Sequence, residues 1–162
     1  MKNRISLLLA LSLIGCQDQP AKKTDETAMT AGRKYIGQTH GAELPAGVER
    51  KGWMYLDSLN GKDYGVTVVA SGPARLFWLD ESADVQGAKA WKVINVLGAD
   101  SLPKARALTI GSCNGLGLQT TRIIALTERA DPKAPATVLR AWKVDLAKRG
   151  FEEIRHSAIV CR

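Results

Sequence analysis

Two histidines and three cysteines are all that this chain of 162 residues offers for metal or redox chemistry. With so few imidazole and thiol ligands, a metal cluster or a redox relay has little to be built from. Aromatic residues are scarce at 6%, although four of them are Trp. No apolar run reaches the roughly 18 residues that span a bilayer as a helix, which excludes a polytopic helical membrane protein. Acidic residues are outnumbered, 16 against 23 basic ones, giving a formal net charge of +7. What is plentiful is ordinary: 45% hydrophobic and 24% charged residues make one folded domain and exclude a mostly disordered chain.

The N-terminus has an ordered polarity. Met1-Lys2-Asn3-Arg4 is a short basic head, and Ile5 to Ile14 (ISLLLALSLI) is uncharged and apolar. Ten residues rise only about 15 Å as a helix, half the hydrocarbon thickness. A basic head followed by a short apolar run is the layout of an export signal. The run closes on Leu13-Ile14-Gly15-Cys16, and in these residues the chain resembles a bacterial lipoprotein precursor. The resemblance implies cleavage before Cys16 and lipid on both its sulfur and its new amino group. Each buried CH₂ contributes roughly 0.8 kcal/mol, so several acyl chains together make a firm anchor. In lipoproteins of this type, Gln17 after the Cys implies sorting to the outer membrane, facing the periplasm. Loss of residues 1–15 removes Lys2 and Arg4 and lowers the net charge to +5.

With Cys16 given to lipid, Cys113 and Cys161 remain as a pair in an oxidising compartment, where they read as one structural disulfide. The closed loop of about 49 residues corresponds to roughly 4 kcal/mol in the chain-entropy model.

Residues 16–45 read as the lipidated N-terminus and a flexible tether, because only Met29, Tyr35, Ile36 and Leu44 are large and apolar. A tether of about 29 residues has an r.m.s. reach near 30 Å. Residues 46–162 read as the folded domain. Trp53 to Leu59 and Tyr64 to Ser71 flank Asn60-Gly61, a strong two-residue hairpin signal. Ser71-Gly72-Pro73 is the next turn and Arg75 to Asp80 (RLFWLD) the next strand. Further strands are expected at Ala90 to Leu97, Ala105 to Ile110 and Thr121 to Glu128, the last two separated by a Gly-rich loop. Residues 137–148 (TVLRAWKVDLAK) fit either a strand turning at Lys148-Arg149-Gly150 or a helix with Gly150 as its cap. The fold class expected is mainly β: a single antiparallel domain as a twisted sheet, sandwich or open barrel, with a helix over 137–148 as the α+β alternative.

Residues for catalysis are few. His40 falls in the tether, where it lacks preorganisation, and His156 falls in a strand with Ser157 turned to the opposite face. Gly111-Ser112-Cys113-Asn114-Gly115-Leu116-Gly117 lacks the Lys of a phosphate loop and the spacing of a dinucleotide fingerprint, so its glycines read as relief around the disulfide. Asp80, Glu81 and Asp84 read as a solvated acidic turn. Glu152 and Glu153 are adjacent on a strand and cannot converge as a glycosidase pair. Trp53, Trp78, Trp91 and Trp142 all sit in apolar strands and read as core.

The basic residues Lys22, Lys23, Arg33 and Lys34 lie on the tether, and Lys104, Arg106, Arg122, Arg140, Lys143, Lys148, Arg149 and Arg155 are scattered through the C-terminal half. They carry no nucleic-acid signature. No catalytic residue, metal site or cofactor is expected, and no nucleic-acid partner. The expectation is an outer-membrane lipoprotein that faces the periplasm and binds a periplasmic protein or the cell wall. One form is an inhibitor or immunity protein against an envelope-targeting enzyme. The alternatives are a structural cell-wall-associated lipoprotein and a hydrolase using Asp80 or Glu81.

Overall fold

The computed structural model describes residues 32–99, 106–129, 131 and 134–162. The signal and lipobox through Cys16, together with Gln17, Lys22, Lys23 and Lys104, lie outside the described residues. The chain is mainly β and antiparallel throughout. Strands β1 (Thr39–His40), β2 (Val48–Leu59), β3 (Lys62–Ser71), β4 (Ala74–Val85) and β5 (Ala88–Ala99) form one sheet in the order β1-β5-β4-β3-β2. Strands β6 (Arg106–Ile110), β8 (Ile123–Glu128), β9 (Thr137–Asp145) and β10 (Gly150–Ile154) form a second in the order β10-β9-β8-β6. Two-residue strands β7 (Cys113–Asn114) and β11 (Val160–Cys161) pair as a separate ribbon. The helix alternative over 137–148 does not form: Thr137–Asp145 is strand, and the chain turns through 146–149 into β10.

Turn chemistry sets the meander. Asn60 and Gly61 both take positive φ, 53° and 74°, as the hairpin signal requires. Gln86 and Gly87 repeat that geometry, at 54° and 80°, between β4 and β5. The acidic residues before that turn are therefore not a solvated turn. Asp80 and Glu81 sit inside β4, and only Asp84 serves the turn, accepting a hydrogen bond from the Gly87 N–H at 2.8 Å.

Alternation along β4 explains the layers. Phe77 and Leu79 face the second sheet and pack with Val66, Leu97, Ile124 and Val144 in the core between the sheets. Leu76 and Trp78 point the other way, into a second cluster with Val69, Val93 and Tyr35. The four-stranded sheet repeats the arrangement. Ile124 faces the shared core, while Ile123 and Ala125 pack outward beneath Cys113, Ile159 and Cys161.

The tether expected over 16–45 is corrected at its C-terminal end. Gly37 N–H donates to the Val93 carbonyl at 2.8 Å, and Val93 N–H donates to the Gln38 carbonyl at 2.9 Å. Tyr35 is buried, with its ring centroid 4.8 Å from that of Trp78. The physical reason lies in β3 and β4, whose continuous apolar runs need cover on both faces. Residues 33–44 supply it for one of them.

Candidate functional site

Cys113 and Cys161 are bonded as expected, directly opposite one another in the β7–β11 pairing. The glycines of the loop do act as relief there. Gly115 has φ 144°, and a Cβ on it would lie 2.1 Å from the Ala158 carbonyl oxygen. His156 and Ser157 belong to a short 3-10 turn, not a strand, and both are exposed.

His40 is the larger correction. It is 5% exposed, not mobile, and its Nε2 lies 3.2 Å from Asp80 Oδ1. Thr67 Oγ1 donates to the other oxygen of the same carboxylate. Asp80 is fully buried, so its oxygens require these partners. β1 places His40 opposite Trp91 in register, and the pairings of Gly65 with Asp80 and Asp80 with Val93 put the group on the outward face of the five-stranded sheet. Two ring nitrogens there, His40 Nδ1 and Trp78 Nε1, are buried with no hydrogen-bond partner among the described residues. Thr67 bonds to Asp80 rather than to His40, so the three residues do not form a nucleophile–base–orienter relay.

Glu81, next in sequence, points to the opposite face. It accepts a hydrogen bond from Tyr64 Oη at 3.0 Å and pairs with Arg149 at 2.7 Å. Burial, and then that carboxylate, push the Tyr64 hydroxyl above its usual pKa. Asp80 and Glu81 thus serve two separate clusters and share no cleft.

The four Trp residues divide. Trp78 is core at 1% exposure, but Trp53 is 46% exposed and Trp91 and Trp142 are half-buried. Reading all four as core is therefore wrong. Trp53 lies on the outermost strand of its sheet, beyond the part that residues 33–44 cover. Its ring reaches inward instead, to 5.5 Å from that of Trp91 and 6.4 Å from that of the exposed Tyr55. Gly65 makes this possible. A Cβ on Gly65 would lie 3.0 Å from Trp53 Nε1, so the indole rests where a side chain would stand.

Between these rings and residues 40–42 opens a cleft of about 520 Å³, lined also by Arg50 and Lys89. Arg50 donates to the carbonyls of Gly41 at 2.8 Å and Ala42 at 3.4 Å. Lys89 pairs with Asp63 at 3.0 Å and stands 5.6 Å over the Trp91 ring. Two wholly apolar faces, a fixed guanidinium and an ammonium can hold a ligand that is apolar on one side and acceptor-rich on the other.

The basic residues of the C-terminal half are mostly engaged. Arg106, Arg122, Arg140, Lys143, Lys148 and Arg149 pair with Glu128, Asp57, Glu153, Glu152, Glu152 and Glu81 respectively. Among the described residues, no group of three or more metal-ligating side chains converges, and no helix is long and apolar enough to cross a membrane. No family model, curated protein or solved structure matches the chain.

No local pattern marks the Asp80–His40–Thr67 group, in which His40 and Thr67 lie 40 and 13 residues from Asp80. A usable signal did exist in β4. Leu76-Phe77-Trp78-Leu79 needs cover on both sides, and the segment before β2 is the nearest chain able to give it.

Proposed function

We propose that the chain is a lipid-anchored envelope protein whose domain is a binding module, and that its partner is engaged at the Trp53–Trp91 cleft. The lipobox resemblance ending at Cys16 supports the anchor, and Gln17 after it supports the periplasmic side of the outer membrane as the domain's location. The observation that carries the binding role is the half-exposed Trp53 seated on Gly65. A large indole left in water costs hydrophobic free energy, and such exposure marks contact surfaces. Asp80 supports the same reading through its place in the fold. Both its oxygens are spent on His40 and Thr67, which fixes the cleft wall.

Two measurements test this. Cys16→Ser moves the protein from the membrane pellet to the soluble fraction if the anchor is lipid; continued sedimentation with membranes sinks the anchor. With the anchor removed by Cys16→Ser, the purified chain is expected to be retained on isolated cell envelopes, and Trp53→Ala in that background to reduce the retention at least tenfold. Equal retention of the two proteins, or none of either, rejects the cleft as a binding site.

A further inference from the structure

We infer that the ligand of the Trp53–Trp91 cleft is an anionic glycan, a sugar chain bearing carboxylates; this rests on the binding role proposed above. The aromatic part of the cleft fits sugar rings. The Trp53 and Trp91 planes meet at 55° with their centroids 5.5 Å apart, and Trp53 is 46% exposed. A pyranose carries an apolar C–H face that stacks on an indole, with hydroxyls at its edge that remain solvated or hydrogen-bonded.

The polar part of the cleft selects charge. Arg50 and Lys89 donate and cannot accept; Lys89 is already paired with Asp63 at 3.0 Å, so the cation of the cleft that meets no carboxylate among the described residues is Arg50. Hydroxyls can accept from these donors, but a carboxylate accepts more strongly, so a cationic donor set favours the charged sugar over the neutral one. Arg50 spends two of its N–H groups on the Gly41 and Ala42 carbonyls, which orients the guanidinium without neutralising it. That sets it apart from Arg106, Arg122 and Arg149, which each meet a carboxylate. The charge complement of the cleft is therefore an anion.

An acidic peptide is the competing occupant. Extended peptides are held through main-chain hydrogen bonds. The cleft wall at residues 41–42 already directs its carbonyls to Arg50, so it presents little ladder for a peptide. The site is also built in advance. Gly65 seats one indole, and the buried His40–Asp80 bond fixes the wall opposite, so little ordering is left to binding.

The test is calorimetric titration of the purified full-length chain with three probes: hexagalacturonate, maltohexaose and hexaglutamate. Hexagalacturonate is expected to bind at least tenfold more tightly than either of the others, and more weakly as salt rises. Trp53→Ala and Trp91→Ala each lower its affinity at least tenfold. Arg50→Ala lowers it about tenfold, and Arg50→Lys recovers part of the loss. Gly65→Ala, which displaces the Trp53 ring without removing it, lowers affinity several-fold at unchanged circular dichroism. Equal binding of hexaglutamate overturns the glycan in favour of an acidic peptide, and equal binding of maltohexaose overturns the role of charge. Absence of hexagalacturonate binding, with Trp53-dependent retention on envelopes intact, rejects the ligand class alone; loss of both rejects the binding role as well.

Discussion

Each sheet of the sandwich turns one face to the shared core and a second face outward, and the two outward faces are closed by different means. Behind the four-stranded sheet, the C-terminal segment is fastened covalently, and Ile123, Ala125, Ala141 and Ile159 are buried with the disulfide. Behind the five-stranded sheet, residues 33–44 are fastened by backbone pairing to β5, by Tyr35 and by the His40–Asp80–Thr67 group. That second cover ends partway across the sheet. Beyond its edge the same face shows Trp53 and Tyr55, and Trp91 stands at the edge itself, paired with His40. A covalent staple closes a face without further support, whereas a cover held by hydrogen bonds can stop where a site begins. The polar group then has two duties, since it secures the cover and forms the wall of the cleft.

The largest effect expected is on the covalent side. Replacing both Cys113 and Cys161 by Ser releases a closure spanning 48 residues and is expected to destabilise the fold by about 4 kcal/mol, read from the urea midpoint. Amide exchange should then rise first in β7, β11 and the turn His156–Ala158. Matching loss of protection at Gly37 and Val93 would break the contrast, because it would make the two covers one cooperative unit.

On the other face, Asp80→Ala leaves His40 and Thr67 buried without their common acceptor. Removing one member of such a buried group is expected to cost about 3 kcal/mol. The amides of Gly37 and Val93 should lose protection selectively, as both bond between the cover and β5. Asp80→Asn keeps one accepting oxygen and should cost less. If Asp80→Ala loosens β7 and β11 as much as it loosens residues 37–40, the group does not act locally.

What could be read from residues follows from how local each determinant is. The β2–β3 hairpin was legible because Asn60-Gly61 acts through its own backbone, and the disulfide because the lipoprotein resemblance, by assigning Cys16 to lipid, implies a single remaining pair. The β9–β10 hairpin was legible only as one of two options, since Val138, Leu139, Trp142 and Leu146 satisfy a helical spacing as well as Val138, Arg140, Trp142 and Val144 satisfy a strand. The cover over 33–44 escaped because it needs only Tyr35, His40 and Leu44 to meet the sheet, too few to mark a buried segment by composition. Trp53 escaped for the opposite reason. Its strand is apolar enough to suggest core, and its exposure depends on where a separate segment stops.

Charge offers the mildest test of the same contrast. Three carboxyls of the β9–β10 hairpin are held below their ordinary pKa: Glu153 by its hydrogen bond from Arg140, Glu152 by that from Lys148, and Asp145 by the backbone N–H of Lys148. In the five-stranded sheet the lowered group is Asp63, bonded by Ser58 and then Lys89. A carboxyl with a depressed folded pKa stabilises the protein above its unfolded value, near 4.5 for Glu, and gives that stability up as pH falls through the folded one. Acid is therefore expected to loosen the second sheet at its β10 edge, where three such carboxyls lie, more than the aromatic cleft, whose Lys89 meets the single carboxyl Asp63. The pairs are solvent-exposed, so the effect is small: for Arg140–Glu153, about a twofold rise in amide opening between pH 6 and pH 3, after correction for intrinsic exchange. Glu153→Gln should reduce that pH dependence in β10, leaving the part due to Glu152, and leave the Trp53–Trp91 cleft unchanged. An equal acid response at β2 and β3 would show that the four-stranded sheet has no special dependence on its ion pairs.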